Sequence, residues 1–171
     1  MAALRSLDPA RLVAEALAES PVVTRWSSAF AEDAAGPVAT PLDRQRSGDT
    51  LLVAIGDAAG PMAAGACAVL GQHLTAGVVV LPGGMPHPSL LPQIRAHVSG
   101  PARSGGRTDA ARTNAARDVR SLLAGTGPGD RVLVLLSGRV GSTLIDPEPP
   151  LDETALAATL ETVRDAGWDP T

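Results

Sequence analysis

Two apolar runs that stop abruptly at small residues constrain this chain more than anything else in it. The second reads Arg131-Val-Leu-Val-Leu-Leu136 and ends at Ser137-Gly138, and the first reads Leu51-Leu-Val-Ala-Ile55 and ends at Gly56. Each is followed by residues of helical pattern, so each reads as a strand–turn–helix unit. An apolar run as uniform as Arg131–Leu136 suits a strand buried on both faces of a parallel sheet. The small residues beyond it suit a turn whose backbone N–H groups can approach an anion or a sugar. Ligands of open α/β sheets bind at that carboxyl edge, so the expected place of function is the edge where these runs end.

Length and composition set the outer limits. A chain of 171 residues, 44% hydrophobic, is long enough for one domain with a core of its own. A net charge of −4 gives no general attraction for nucleic acid or an anionic membrane. All 14 basic residues are arginines. Without lysine there is no lysine-dependent P-loop, Schiff base or lysine general base. Trp26, Phe30 and Trp168 are the only aromatics, too few for a platform that stacks single-stranded nucleic acid. Cys67 is the only cysteine, which excludes an intrachain disulfide and a thiolate metal cluster. In its Ala/Gly-rich setting it reads as a small buried residue rather than a nucleophile. No signal-peptide pattern and no membrane-length apolar run is evident, so the expectation is a soluble cytoplasmic protein without membrane or nucleic-acid partners.

The order of elements follows from caps and periodicity. Asp8-Pro9 opens a helix that Pro21 ends, with Leu12, Ala16 and Glu19 on one face and Val13 and Leu17 in a stripe beside it. Residues 36–49 read as a loop. After Gly56–Gly60 a helix runs to about His73, with Met62, Ala66 and Leu70 in a stripe. Gly77–Leu81 is the next strand, Leu81–Pro92 a proline-rich loop, Ile94–Val98 a short third strand and Ser99–Arg107 another loop. Thr108 or Asp109 caps a helix to Ala124 that buries Ala111, Ala115, Val119 and Leu122. Arg112, Ala116 and Arg120 fall on another face, which reads as solvated. Gly125–Asp130 turns into the Arg131–Leu136 strand, and Asp152 caps a final helix with Leu156, Leu160 and Val163 inward. The result is a three-layer αβα sandwich with a mainly parallel, Rossmann-like sheet.

Several sites can be weighed on residue chemistry. Gly56-Asp-Ala-Ala-Gly60 has neither the G-x-G-x-x-G dinucleotide fingerprint nor an acid ending the next strand. Its glycines serve either close helix–sheet packing or a ligand. Asp57 stands where backbone dipoles favour an anion; a carboxylate there could cap the helix itself and would then compete with a phosphate for the same N–H groups. Ser137 lacks the G-x-S-x-G context of a nucleophile, and nothing places His73, His87 or His97 beside it. The histidines show no metal-ligand spacing, so no metal site is expected from protein ligands. Arg139 is either an exposed loop arginine or a fork for a carboxylate or phosphate.

The residues at these two turns also resemble a known family. The order Leu51-Leu-Val-Ala-Ile-Gly56, Met62-Ala-Ala, Gly77-Val-Val-Val, Leu135-Leu-Ser-Gly and Gly141-Ser142 is similar to the N-terminal, MOFRL-associated (DUF4147) domain of bacterial glycerate 2-kinases. The resemblance implies a single glycerate-kinase-like domain over 1–171, with the family's second domain absent. It implies ATP-dependent phosphorylation of D-glycerate with ATP and Mg²⁺ as cofactors if the protein is active. It also implies Gly56, Asp57, Ser137, Gly138, Arg139, Gly141 and Ser142 as ligand-binding residues. The departures weaken catalysis. The family's Gly-x-Gly-Lys-Ala becomes Ala54-Ile-Gly-Asp-Ala58, and its Ser-Gly-Gly-Gly-Ser becomes Ser137-Gly-Arg-Val-Gly-Ser142. The expectation is therefore a truncated or degenerate member with weak or no catalysis. Its ligand is a small hydroxy acid or a phosphate-bearing molecule, and its partner is a second copy or a separate C-terminal half. The alternative is a non-catalytic anion-binding or protein-interaction module of the same fold.

Overall fold

The computed structural model describes residues 8–19, 48–85, 89–99, 110–138, 140–144, 146–147 and 150–167. In chain order these form α1 (Pro9–Glu19), β1 (Thr50–Ile55), α2 (Ala59–Leu70), β2 (Leu74–Pro82), β3 (Ile94–Ser99), α3 (Ala110–Ala124), β4 (Arg131–Leu136), α4 (Val140–Thr143) and α5 (Glu153–Asp165). A 3₁₀ turn over Gly71–His73 joins α2 to β2. The four strands make one sheet in the order β3-β2-β1-β4, with every neighbouring pair parallel. The expected loops at 36–47 and 100–107, the caps at Thr108 and Asp109, and His87 lie outside the described residues.

Side-chain alternation sends each strand's apolar residues into two separate cores. On one face Leu52, Ala54, Val79, Leu81 and Ile94 pack beneath α2 and Leu17 of α1, with Leu133 and Leu135 at the margin. On the other, Val53, Ile55, Val78 and Val80 pack against Ala115 and Val119 of α3. The three-layer sandwich is thus as the pattern implies. The small residues of α2 have a clear purpose, because a Cβ on Gly65 would lie 2.1 Å from the Ala10 carbonyl oxygen. The α1 and α2 backbones meet directly there. Asp8 caps α1 as its position suggests, accepting the Ala10 N–H at 3.0 Å.

Several expectations are corrected. The uniform run Arg131–Leu136 is a strand, but it is not buried on both faces. It lies at the sheet edge and alternates half-buried with exposed residues, Val134 being 52% and Leu136 58% exposed. β1 is the strand buried throughout. The reason is lateral position: α3 packs chiefly over β2 and β3. Pro82 and Ser99 belong to strands rather than loops, since β2–β3 pairing continues to Pro82↔Ser99. On α1 the buried seam runs through Leu17, and Leu12 faces solvent. On α3, Ala116 is buried and Arg112 half-buried, so the Arg112–Ala116 face is not a solvated one. Arg120 is exposed, with an ion pair to Asp146.

Two polar clasps fix the frame. At the amino edge the Asp130 carboxylate accepts the Asp49 and Gly127 N–H groups, each at 2.7 Å. At β3, His97 Nε2 lies 3.0 Å from Asp118 Oδ2 on α3, with Arg95 3.4 Å from the same oxygen. Partial burial pushes the Asp118 carboxyl up, but the bonds from His97 and Arg95 outweigh it and the group ends below the usual range. The Gly127 N–H bond, followed by that from Asp49, holds Asp130 below its ordinary value of 3.8. A depressed carboxylate contributes stability that is fully present above its unfolded-state value and lost as pH falls through the folded one. Asp130→Asn is therefore expected to lower the melting temperature at neutral pH. The gap to wild type should close as pH falls below 3.8, which thermal melts across a pH series will read.

Candidate functional site at the carboxyl edge

The chain leaves β1 toward β2 on one side, while β4 pairs on the other, so the strand order reverses between β1 and β4. This is the topological switch point, where open α/β sheets hold ligands. Both small-residue turns meet there. Gly56 follows β1 with φ +114°, a region that L side chains rarely adopt. A Cβ at this position would lie 2.6 Å from both the carbonyl oxygen and the Oγ of Ser137. Glycine is thus required by the neighbouring turn as well as by its own dihedral.

The two turns are bonded together through their backbones. Ser137 donates its N–H to the Ile55 carbonyl at 3.0 Å, and Asp57 donates its N–H to the Gly138 carbonyl at 3.0 Å. The Ser137 hydroxyl accepts the Ala58 N–H at 2.9 Å and lies 3.4 Å from the Ile55 carbonyl oxygen, to which it donates. Ala58 has no side-chain oxygen to cap α2, so Ser137 caps it from across the sheet. Asp57 Oδ2 approaches within 3.4 Å of the Cβ position of Gly138.

Gly56, Asp57, Ser137 and Gly138 are therefore brought together. Gly141 lies within α4, so the Ser137–Ser142 segment is a turn only at its start and helical over Val140–Thr143. Ser142 shares that helix, and Arg139 lies outside the described residues. The helix-terminal N–H groups that the sequence suggests for a ligand are used differently, since those of Asp57 and Ala58 are satisfied within the protein. The groups that knit the site are the Ile55 carbonyl, the Gly138 carbonyl and the Ala58 N–H. Sequence reasoning missed Ile55 and Ala58 because their contribution is backbone; the signal available was only their place at a strand end and a helix start.

The other candidates stand apart. His97 is engaged with Asp118, and His73 belongs to the 3₁₀ turn that precedes β2 at the opposite edge. Cys67 is half-buried against the α2-side core, and burial pushes its thiol above 9.0 despite a backbone hydrogen bond from Leu91, which suits packing rather than nucleophilicity. Among the described residues there is no group of three or more His, Cys, Asp or Glu that could hold a metal ion. No described helix is long and apolar enough to cross a membrane.

Ser137 acts here as a cap, and its loss leaves the Ala58 N–H without its partner. Ser137→Ala is expected to lower unfolding stability by about 0.5–2 kcal/mol, the usual cost of losing a hydroxyl cap. Urea denaturation will measure it.

Comparison with known proteins places these observations in a family. The chain matches the family described as "Domain of unknown function (DUF4147)" over residues 1–169. Its fold is similar to the crystal structure of the PH0495 protein from Pyrococcus horikoshii OT3, with a TM-score of 0.61 and 23% identity over 72% of this chain and 27% of that one. It is also similar to the structure of a glycerate kinase from Thermotoga maritima, with a TM-score of 0.61 and 26% identity over 75% of this chain and 30% of that one. The chain thus spans less than a third of either structure. No curated protein matches it.

Proposed function

Since the chain belongs to the DUF4147 family, we propose that it is a glycerate 2-kinase-type domain which binds a small hydroxy acid, or its phosphate, between the β1 and β4 turns. In this reading it has little or no phosphoryl transfer of its own. The observation that carries the reading is the meeting of the Gly56–Asp57 and Ser137–Gly138 turns at the switch point of the sheet. The likeness to a glycerate kinase structure supports the substrate class.

The chemistry of these residues favours a ligand with two kinds of group. The Asp57 carboxylate accepts hydrogen bonds and repels anions, so it suits a hydroxyl. The Arg139 fork, next in sequence to Gly138, suits a carboxylate or phosphate. A hydroxy acid carries both. The remaining lone pair of the Ser137 Oγ is a further acceptor for a hydroxyl.

ATP and Mg²⁺ fit less well. Phosphoryl transfer rests on positioning and on cations that neutralise the transferring group. The Asp57 and Ala58 N–H groups already have acceptors, and the side chain at the start of this helix is an anion. These described residues do not form a triphosphate cradle.

Isothermal calorimetry with D-glycerate and with inorganic phosphate tests the reading. Both should bind wild type, and Arg139→Ala should weaken binding by about 1–3 kcal/mol, as for a hydrogen bond to a charged group. Asp57→Ala should weaken glycerate and strengthen phosphate. Absence of heat with either ligand on wild type overturns the site, and rapid turnover in a coupled ATP/glycerate assay overturns the claim of weak catalysis.

A second reading, an interaction module of the same fold, is favoured by a separate observation: Val132, Val134 and Leu136 on one face of β4 are exposed. The two readings are compatible, because the face and the ligand edge use different residues.

A further inference from the structure

We infer that Arg120 of α3 is a positioning residue for the carboxyl edge: through Asp146 it holds α4 as a wall across the end of β1, so that α3 governs ligand affinity without touching the ligand. The step to affinity rests on the ligand reading above, whereas the anchoring of α4 stands apart from it.

The path of the chain is the first argument. β4 and β2 lie on opposite sides of β1 in the sheet. α4 follows β4 yet packs against β2, so the chain crosses over the carboxyl end of β1. Val140 and Leu144 pack against the core of Ile55, Val80 and Val119, which puts this crossing on the α3 face. The other turn leaves the opposite way, because Gly56 leads into α2 and the core on the far face. Neighbouring strand ends whose chains depart to opposite faces are what open a crevice at a switch point. One wall of the crevice is therefore the start of α2, and the other is the crossing made by α4.

The two walls are secured differently. α2 has 12 residues and is capped by the Ser137 hydroxyl. α4 has only four. A single helical turn does not hold itself, since ordering its backbone costs more than its few bonds return. Its place depends on what grips it. The near end is held where the Ser137 N–H bonds the Ile55 carbonyl at 3.0 Å. Buried Thr143 and the partly buried Val140 and Leu144 seat the turn on the core. Apolar packing is non-directional, so it sets the depth of α4 more firmly than its orientation.

The directional restraint lies at the far end. Arg120 Nε donates to Asp146 Oδ2 at 3.1 Å, and Nη2 pairs with Oδ1 of the same carboxylate. A two-pronged contact of this kind fixes orientation as well as distance. Arg120 adjoins Val119, which belongs to the core that Val140 and Leu144 pack against, so the grip acts at the crossing itself. The neighbouring charges of α3 are committed elsewhere: Asp118 is engaged by His97 and Arg95 of β3, and Arg117 bonds Asn114. Both members of the Arg120–Asp146 pair are exposed, so the pair adds little to global stability. Its effect is on where α4 sits.

Two measurements on the 171-residue chain test this. The first needs no ligand: amide exchange at Leu144, whose N–H bonds the Val140 carbonyl at 3.1 Å. Arg120→Ala and Asp146→Ala should each speed that exchange about fivefold, while the thermal melts stay at the wild-type temperature. The double variant Arg120→Asp with Asp146→Arg restores the fork from the other side and should return the wild-type rate. The second is calorimetry with D-glycerate and with inorganic phosphate. Each single variant should bind about fivefold more weakly, and the double variant as tightly as wild type. Unchanged exchange in the single variants, or a double variant that exchanges as they do, overturns the anchor. A melting temperature that falls in step with the exchange makes the pair a general stabiliser and overturns its positioning role. Unchanged affinity despite faster exchange overturns the link from α3 to the ligand edge. A wild type that binds neither ligand overturns the ligand reading and that link together, and the exchange rates still decide the anchor.

Discussion

The knot of hydrogen bonds between the β1 and β4 turns is the constraint on which the rest of the structure depends. Ser137 bonds the Ile55 carbonyl and receives the Ala58 N–H, while Asp57 bonds the Gly138 carbonyl. These bonds fix where α2 begins, and α2 in turn supplies Ala59, Ala63 and Ala66 to the larger core. They also set the conformation of Gly56, whose positive φ leaves no room for a side chain against Ser137. A helix that starts with alanine and glycine has no capping side chain of its own, so its N-terminus is completed by a residue 79 positions away. The local and the long-range structure are therefore interdependent at this one point.

That knot also decides the chemistry available at the switch point. A helix N-terminus with free N–H groups is a ready anion site. Here the first such groups are used to hold the two turns together, and the side chain beside them, Asp57, is a carboxylate. What the edge can offer a ligand is carried by side chains, the Asp57 carboxylate, the Ser137 oxygen and, by sequence position, the Arg139 fork. On the proposed reading, such a set would suit a small molecule bearing both hydroxyl and anionic groups rather than the cation-rich centre that phosphoryl transfer requires.

Much of the fold was legible because the strongest signals were local. Leu51–Ile55 and Arg131–Leu136 are strands because uniform apolar runs end at Gly or Ser. The Asp8 and Asp152 caps are visible as letters, and Asp152 accepts the Ala155 N–H at 2.7 Å as its position implies. Which strand is central was not legible. β1 and β4 read almost alike, yet the first is buried throughout and the second has an exposed face, because α3 covers β2 and β3. Burial on a second face belongs to the neighbour, and no pattern within the strand records it. The strand boundaries at Pro82 and Ser99 were hidden for a similar reason, since their pairing outlasts the apolar pattern. Of the candidate site, the turn residues were legible as small and polar. Their mutual bonds were not, because carbonyl and N–H groups are the same in every residue.

Amide hydrogen exchange at Asp57 and Ala58, followed by NMR on the ligand-free protein, tests the central claim most directly. If the two turns hold each other, both amides are protected without ligand and change little on adding D-glycerate or phosphate. Exchange at the rate of an open loop, with protection appearing only when an anion is added, would contradict the account and return these N–H groups to the role of a ligand cradle.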